Sequence, residues 1–287
     1  MAIKSYIKRV LRYLCSGIPE KKVTLEVSSL SPSNLLDGNI ALITGGTSGI
    51  GREIAIAFLK AGAEVIITGR QQQRIVKVID EINHMGYKGK IHGIEMDNAD
   101  VSSFSQKLQE ILEIINHRKI NILVNNAGIN GGGLFNCSEE EYQKIMDTNL
   151  KGVIFLTRIV SNYMISNKIK GNILNIASSS SIRPVTTAYT LSKWGIKGLT
   201  IGFAKTLIKN DIVVNGLAPG PTATPMLIKD NNNNMYIPNN PSERFALPEE
   251  IANMAVILTS NLGRMIVGDI IYMTGGAGIL TVDDINY

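Results

Sequence analysis

From residue 38 onward, short apolar runs alternate with stretches whose apolar residues recur every three or four positions. The runs are NIALIT (39–44), AEVIIT (63–68), KIHGIEM (90–96), INILVNN (120–126), GNILNIAS (171–178), DIVVNGLA (211–218) and DIIYMT (269–274). The helical stretches are 50–59, 71–85, 102–117, 139–147, 150–167, 187–209 and 248–260. In 102–117, for example, Phe104, Leu108, Ile111, Leu112 and Ile115 share one face. The runs show no apolar–polar alternation, which marks strands covered on both faces. Strand–helix alternation with such strands predicts an α/β fold, doubly wound, with a seven-stranded parallel sheet and helices on both faces.

Two segments fall outside this pattern. Residues 1–37 read as an N-terminal extension: Ile3, Ile7, Val10, Leu11 and Leu14 form one helical stripe, and 16–37, rich in Ser, Pro and Gly, connects it to a domain spanning 38–287. Residues 227–247 contain NNNN at 231–234 and few apolar residues, and are too long for an ordinary turn. That reads either as a mobile lid over a site or as a disordered loop, within a substrate segment of 221–247.

Charge changes the picture at one end only. Residues 1–22 hold six bases and one acid, which account for the whole formal net charge of +5. The body is neutral overall and gives no charge argument for nucleic acid. The tail is interrupted by charge, so it is neither a signal-peptide core nor a spanning helix. It reads either as a helix on an anionic membrane surface, giving peripheral membrane contact, or as one packed on its own body or a partner subunit. Cys15 and Cys137 are too few for a disulfide framework, and His84, His92 and His117 lack metal-ligand spacing, so no metal is expected. A reducing cytoplasm is the default compartment, with membrane association through the tail as its variant.

The first strand runs into ITGGTSGIGREIA (43–55), which carries Gly45, Gly49 and Gly51 and opens a helix. Residues without Cβ let the backbone turn tightly and approach a pyrophosphate, while the helix N-terminus offers free N–H groups to it. In the first βα turn of a doubly wound sheet this is a Rossmann dinucleotide site. The second strand ends in Gly69 and Arg70, with no acid to hold a ribose 2′-hydroxyl. An arginine fork suits a 2′-phosphate, which favours NADP(H) over the alternative NAD(H).

In ASSSSIRPVTTAYTLSK (177–193), Tyr189 and Lys193 stand four apart on one helix face. Together with TGGTSGIG (44–51), NNAG (125–128), NLKG (149–152) and APG (218–220), this stretch resembles the short-chain dehydrogenase/reductase family in its single-domain form, over about residues 38–278. The resemblance implies a hydride-transfer enzyme with Tyr189 as acid/base. Lys193 would hold the nicotinamide ribose and depress the tyrosine pKa, and Asn149 would support a water-linked proton relay. It implies cofactor contacts from Gly45, Thr47, Ser48, Gly49, Ile50 and Gly51 in the glycine turn. Further contacts are expected from Asp97 and Asn98 after the third strand, from Asn125, Ala127 and Gly128, and from Pro219, Gly220, Thr222 and Thr224. The family's substrate-binding serine ends the fifth strand, which points to Ser178. The gap from Ser178 to Tyr189 is shorter than the family usually shows, so Ser179 stays open as the alternative, while Ser180 and Ser181 read as loop serines.

The reading is an NADP(H)-dependent oxidoreductase interconverting a ketone and a secondary alcohol, similar to the 3-oxoacyl-carrier-protein reductase and sugar-alcohol dehydrogenase branches. A reductase of a 3-oxoacyl thioester or similar ketone comes first. A sugar or polyol dehydrogenase, in a membrane-associated or polysaccharide-related pathway, and a dinucleotide-binding scaffold without turnover are the alternatives. Specificity is expected from 183–187 and 221–247, with Met226, Met235 and Tyr236 as wall residues. The resemblance also implies a homodimer or homotetramer through the helices at 150–167 and 187–209.

Overall fold

The computed structural model describes Thr24 and residues 34–87, 90–226 and 234–280. The basic stripe at 1–22 and most of NNNN lie outside them. Seven strands form one parallel sheet in the order β3-β2-β1-β4-β5-β6-β7. They are β1 (Ile40–Ile43), β2 (Glu64–Gly69), β3 (Ile91–Glu95), β4 (Ile122–Asn125), β5 (Asn172–Ile176), β6 (Val213–Pro219) and β7 (Ile270–Met273). The helices are α1 (Gly49–Lys60), α2 (Gln72–Asn83), α3 (Phe104–Ile114), α4 (Glu139–Met146), α5 (Gly152–Ser166), α6 (Ala188–Leu207) and α7 (Pro248–Thr259). The chain order reverses between β1 and β4, and open α/β sheets bind ligands at such a point.

Both sheet faces are covered. Ala41 and Ile43 of β1 pack with Ile54 and Phe58 of α1, Ile75 of α2 and Ile251 of α7. Their neighbours Ile40 and Leu42 pack on the other face with Phe104 of α3, Val160 of α5 and Leu207 of α6. Side chains alternate across the strand, yet both sets are apolar because both meet helices. That is why the strand runs show no alternation in sequence. Each fully buried Ile, Leu or Phe contributes roughly 1.5–3 kcal/mol.

Two local features differ from the sequence expectation. The packed body begins before residue 38: Leu36 is fully buried against α1 and its N–H donates to the Ala61 carbonyl at 2.9 Å. The linker expected through residue 37 therefore ends earlier, because an apolar Leu pair finds the same pocket as the first helix. The break expected between 147 and 150 is instead a π-helical turn, Asp147–Lys151, which runs α4 into α5. Such turns widen one helical step and commonly sit at functional sites.

Candidate active site

A cleft of about 1010 Å³ lies over the carboxyl ends of the central strands, along the glycine turn and the serine run. Gly45 and Gly49 adopt left-handed φ angles of +65° and +55°, a region glycine enters without steric cost. A Cβ on Gly51 would collide with the Asn126 amide and come within 2.5 Å of the Gly45 carbonyl oxygen. Gly51 therefore permits close packing beneath the turn and does not itself line the cleft. Asn126 ties the turn to the end of β4: its Nδ2 donates to the carbonyls of Thr44 at 2.9 Å and Gly45 at 3.1 Å. The Thr44 hydroxyl accepts from the N–H groups of Asn126 and Ala127, both at 3.0 Å.

Thr47, Ser48, Gly49 and Ile50 line the cleft at the start of α1. No side chain caps this helix and no acid occupies its first turn. By contrast, α4 is capped by Ser138 and carries three glutamates there. The N-terminus of α1 thus keeps its N–H groups and positive dipole end for an anion in the cleft. Arg70 lines the cleft just past β2, and Arg74 lines it one turn into α2. Neither guanidinium pairs with another described side chain, and α2 has no acid in its first turn. Asp97 and Asn98 line the cleft beyond β3. The Asp97 carboxylate accepts from the Ala99 N–H at 3.0 Å, and the buried Asn98 amide donates to the Thr148 carbonyl at 2.6 Å. Ala127, Gly128, Pro219, Gly220, Thr222 and Thr224 complete this wall. The Thr222 hydroxyl donates to the Gly220 carbonyl at 2.9 Å.

Asn125 is a correction to the sequence expectation. It is buried below the cleft, and its Nδ2 donates to Thr157 Oγ1 at 2.9 Å and Asn175 Oδ1 at 2.8 Å. Side chains alternate along a strand, so the last residue of β4 points into the protein and the next, Asn126, reaches the turn. Sequence reasoning missed Asn126 and Arg74. The second Asn of NNAG and the four-residue step from Arg70 were the available signals.

At the other end of the cleft, β5 delivers Ser178 and α6 delivers Tyr189 and Lys193. Thr187 caps α6, its Oγ1 accepting from the Thr190 N–H at 2.9 Å. The Ser178 side chain lies beside the Tyr189 phenol, where it acts to lower the phenol's pKa. A short 3-10 turn, Ser179–Ile182, takes up the chain between them, which is how the compact gap closes. Ser178 Oγ also accepts from the Ser180 N–H at 3.1 Å. Ser181 is buried, its hydroxyl donating to the Ser178 carbonyl at 2.7 Å. Lys193 Nζ donates to the Ile176 carbonyl at 2.8 Å and lies 5.6 Å from the Tyr189 ring centroid. Asn149, in the π-helical turn, is 1% exposed and sits behind this group. Its Oδ1 accepts from the Ile129 N–H at 2.9 Å, and its Nδ2 donates to the Ile129 carbonyl at 2.9 Å and to Ser192 Oγ at 3.1 Å.

Burial governs the pKa directions of the Tyr189–Lys193 pair. Burial pushes the Tyr189 phenol above the ordinary tyrosine value, and the Ser178 side chain beside it opposes this only in part. Burial also brings Lys193 down to about 8. Burial sets both directions, and the Lys193 ammonium is turned toward the Ile176 carbonyl.

The substrate-side wall differs in detail as well. Met226 lines the cleft with Pro221, Ile237 and Phe245, whereas Met235, Tyr236 and residues 183–187 do not. The 235–246 strip pairs back onto 221–223 through Ala246 N–H to Pro221 and Ala223 N–H to Ala246, both 2.9 Å, so that its alternate residues Ile237 and Phe245 face inward. The charged lining residues are Arg70, Arg74 and Asp97 at one end and Lys193 at the other. The cradle fits a dinucleotide: left-handed glycines, open helix N–H groups and unpaired arginines follow one another along the cleft. Among the described residues no cluster of His, Cys, Asp and Glu could hold a metal ion, and no helix is long and apolar enough to cross a membrane.

Comparison with known proteins agrees with this geometry. The short chain dehydrogenase family profile matches residues 39–235. The 3-oxoacyl-[acyl-carrier-protein] reductase FabG of Aquifex aeolicus is 36% identical over 248 residues, covering 84% of this chain and 98% of that protein. The crystal structure of a 3-oxoacyl-[acyl-carrier protein] reductase from Brucella melitensis superimposes with a TM-score of 0.81 at 25% identity, covering 90% of this chain and 98% of that one. A short chain dehydrogenase from Burkholderia cenocepacia, solved in complex with NADP, does so with a TM-score of 0.73 at 27% identity, covering 84% and 98%. The chain belongs to the short-chain dehydrogenase/reductase family and is an NAD(P)-dependent oxidoreductase.

Proposed function

We propose that the protein is an NADP(H)-dependent ketone reductase whose substrate is a 3-oxoacyl thioester or a similar neutral ketone. The observation that carries this reading is the contact of Ser178 with Tyr189 beside Lys193, at an end of the cleft walled by Pro221, Met226, Ile237 and Phe245. When bound, the reduced dinucleotide supplies the hydride. The chain's own residues do the rest. The Ser178 hydroxyl fixes the ketone oxygen beside the Tyr189 phenol. That phenol, kept protonated by burial, gives its proton to the oxygen as charge develops there. Lys193 holds a positive charge under the site at neutral pH, and Asn149 holds the Ile129 backbone that lines it. Arg70 and Arg74 supply two guanidinium forks for a 2′-phosphate.

Among the described residues that line the cleft, Lys193 is the cation nearest the apolar wall, which favours a neutral ketone over a sugar acid. The names of the acyl-carrier-protein reductases among the relatives support the same choice. Exposed Ile165 on α5 and Leu191, Trp194 and Ile201 on α6 support a homo-oligomer through these two helices. The test is NADPH oxidation against a panel of ketones with wild type and Tyr189→Phe. General acid catalysis is worth about 100- to 10,000-fold, so the variant loses that much kcat while NADPH affinity stays unchanged. A variant with full activity on a good substrate ends the mechanism, and an enzyme that turns over polyols but no ketone ends the substrate assignment.

A further inference from the structure

The serine run holds a second hydroxyl that the mechanism does not use. Ser178 Oγ accepts from the Ser180 N–H and lies beside the Tyr189 phenol. Ser181 Oγ is committed to the Ser178 carbonyl, with Tyr272 beyond it at 3.3 Å. Ser179 differs from both. It lines the cleft directly after Ser178, it is 5% exposed, and its hydroxyl has no partner among the described residues. The hydroxyl is not among the enclosed unpaired polar atoms, so it is open to the cleft, where a polar group of a bound molecule can take the place of water.

The geometry points to Ser179 as a specificity residue that hydrogen-bonds a second oxygen of the substrate, two carbons from the ketone held by Ser178 and Tyr189. This rests on the ketone-reductase reading and refines its substrate class. Ser178 is extended at φ −168° and ψ 158°, and the 3-10 turn starts at the next residue. The backbone thus changes direction between the two serines, and both side chains line one cleft instead of opposite faces of a strand. Two hydroxyls on adjacent residues suit two oxygens in a short, fixed relation. A 1,3-dicarbonyl has that relation: ketone at one carbon, thioester or ester carbonyl two carbons away. A simple ketone would leave Ser179 unpaired. The described surroundings agree, because a carboxylate in the second position would lie against Pro221, Met226, Ile237 and Phe245 with no added cation among the described lining residues. Ser180 lines the cleft too, but it is less buried and its N–H is spent on Ser178, which makes it the control.

The experiment compares the acetoacetyl thioester of N-acetylcysteamine with butanone, using the full chain and NADPH. Wild type, Ser178→Ala, Ser179→Ala, Ser179→Thr and Ser180→Ala are assayed on both. A neutral hydrogen bond is worth about 3- to 10-fold. Ser179→Ala is expected to raise KM for the thioester by that factor with kcat little changed, and to leave butanone kinetics alone. Ser179→Thr, which keeps the hydroxyl, restores the thioester KM. Ser178→Ala lowers kcat on both ketones. Calorimetric affinity for the 3-hydroxybutanoyl thioester product should fall in Ser179→Ala by the same factor, a readout independent of turnover. Equal effects of Ser179→Ala on both ketones, no effect on either, or the thioester effect appearing in Ser180→Ala instead would overturn the assignment. Wild type that reduces neither ketone overturns the reductase reading and the Ser179 role with it. Wild type that reduces both with unchanged Ser179→Ala kinetics overturns the Ser179 role alone.

Discussion

Lys193 donates its ammonium to the Ile176 carbonyl at 2.8 Å, across the gap between α6 and the last residue of β5. The bond fixes the height of the helix against the strand, and with it the position of Tyr189 over Ser178. It also buries a cation, and burial is what lowers its pKa to about 8.

That burial has a signed consequence for stability. A lysine at about 8 in the folded state and about 10.5 unfolded binds fewer protons when folded at any pH between the two. Stability from this group therefore rises with pH through that window, and the cost of the buried ammonium is fully present below pH 8. Two and a half units correspond to about 3 kcal/mol. Urea unfolding of wild type and Lys193→Met at pH 7 and pH 10 should show wild type gaining up to that amount relative to the variant. Parallel pH curves would mean that the lysine is not held at about 8. The same ionisation predicts that kcat/KM for ketone reduction falls on the alkaline side with an apparent pKa near 8.

Arg70 and Arg74 have no partner among the described residues and line one end of the cleft. Each charge-assisted bond to a phosphate is worth about 1.5–3 kcal/mol, or roughly 10- to 150-fold. Arg70→Asp is expected to weaken NADPH affinity by at least the lower factor and shift the preference toward NADH. Arg74→Ala should add a further loss on NADPH and leave NADH unaffected. Measured cofactor dissociation constants that rise equally for both cofactors would place the arginines away from the 2′-phosphate.

Gly51 carries a different prediction. A Cβ there meets the Asn126 amide and the Gly45 carbonyl, so Gly51→Ala pushes apart the bonds that tie the turn to β4. Overpacking of this kind costs about 1–3 kcal/mol. The variant is expected to unfold at lower urea and to bind either dinucleotide at least tenfold more weakly. Asn126→Ala should reproduce the binding loss without the clash, because it removes the same tie. Normal cofactor affinity in both variants would refute the role of this packing.

The strand runs and helical stripes by themselves determined the seven-stranded doubly wound sheet, since only strands buried on both faces read as unbroken apolar runs. They also placed the glycine turn and the Tyr189–Lys193 pair, because a short loop and a single helical turn are local. Whatever depends on contacts across the chain was decided by the tertiary structure. Asn125 and Asn126 are adjacent, and only the twist of β4 into the core determines which one meets the glycine turn. Leu36 looks like linker until α1 offers it a pocket. Four serines in a row are equivalent as letters. The end of β5 and the 3-10 turn after it divide them, giving Ser178 to Tyr189, Ser181 to the backbone and Ser179 to the cleft. The direction of the Tyr189 pKa is also invisible to spacing. Spacing puts a cation one turn away, but the burial that raises the phenol and lowers the lysine exists only in the packed fold.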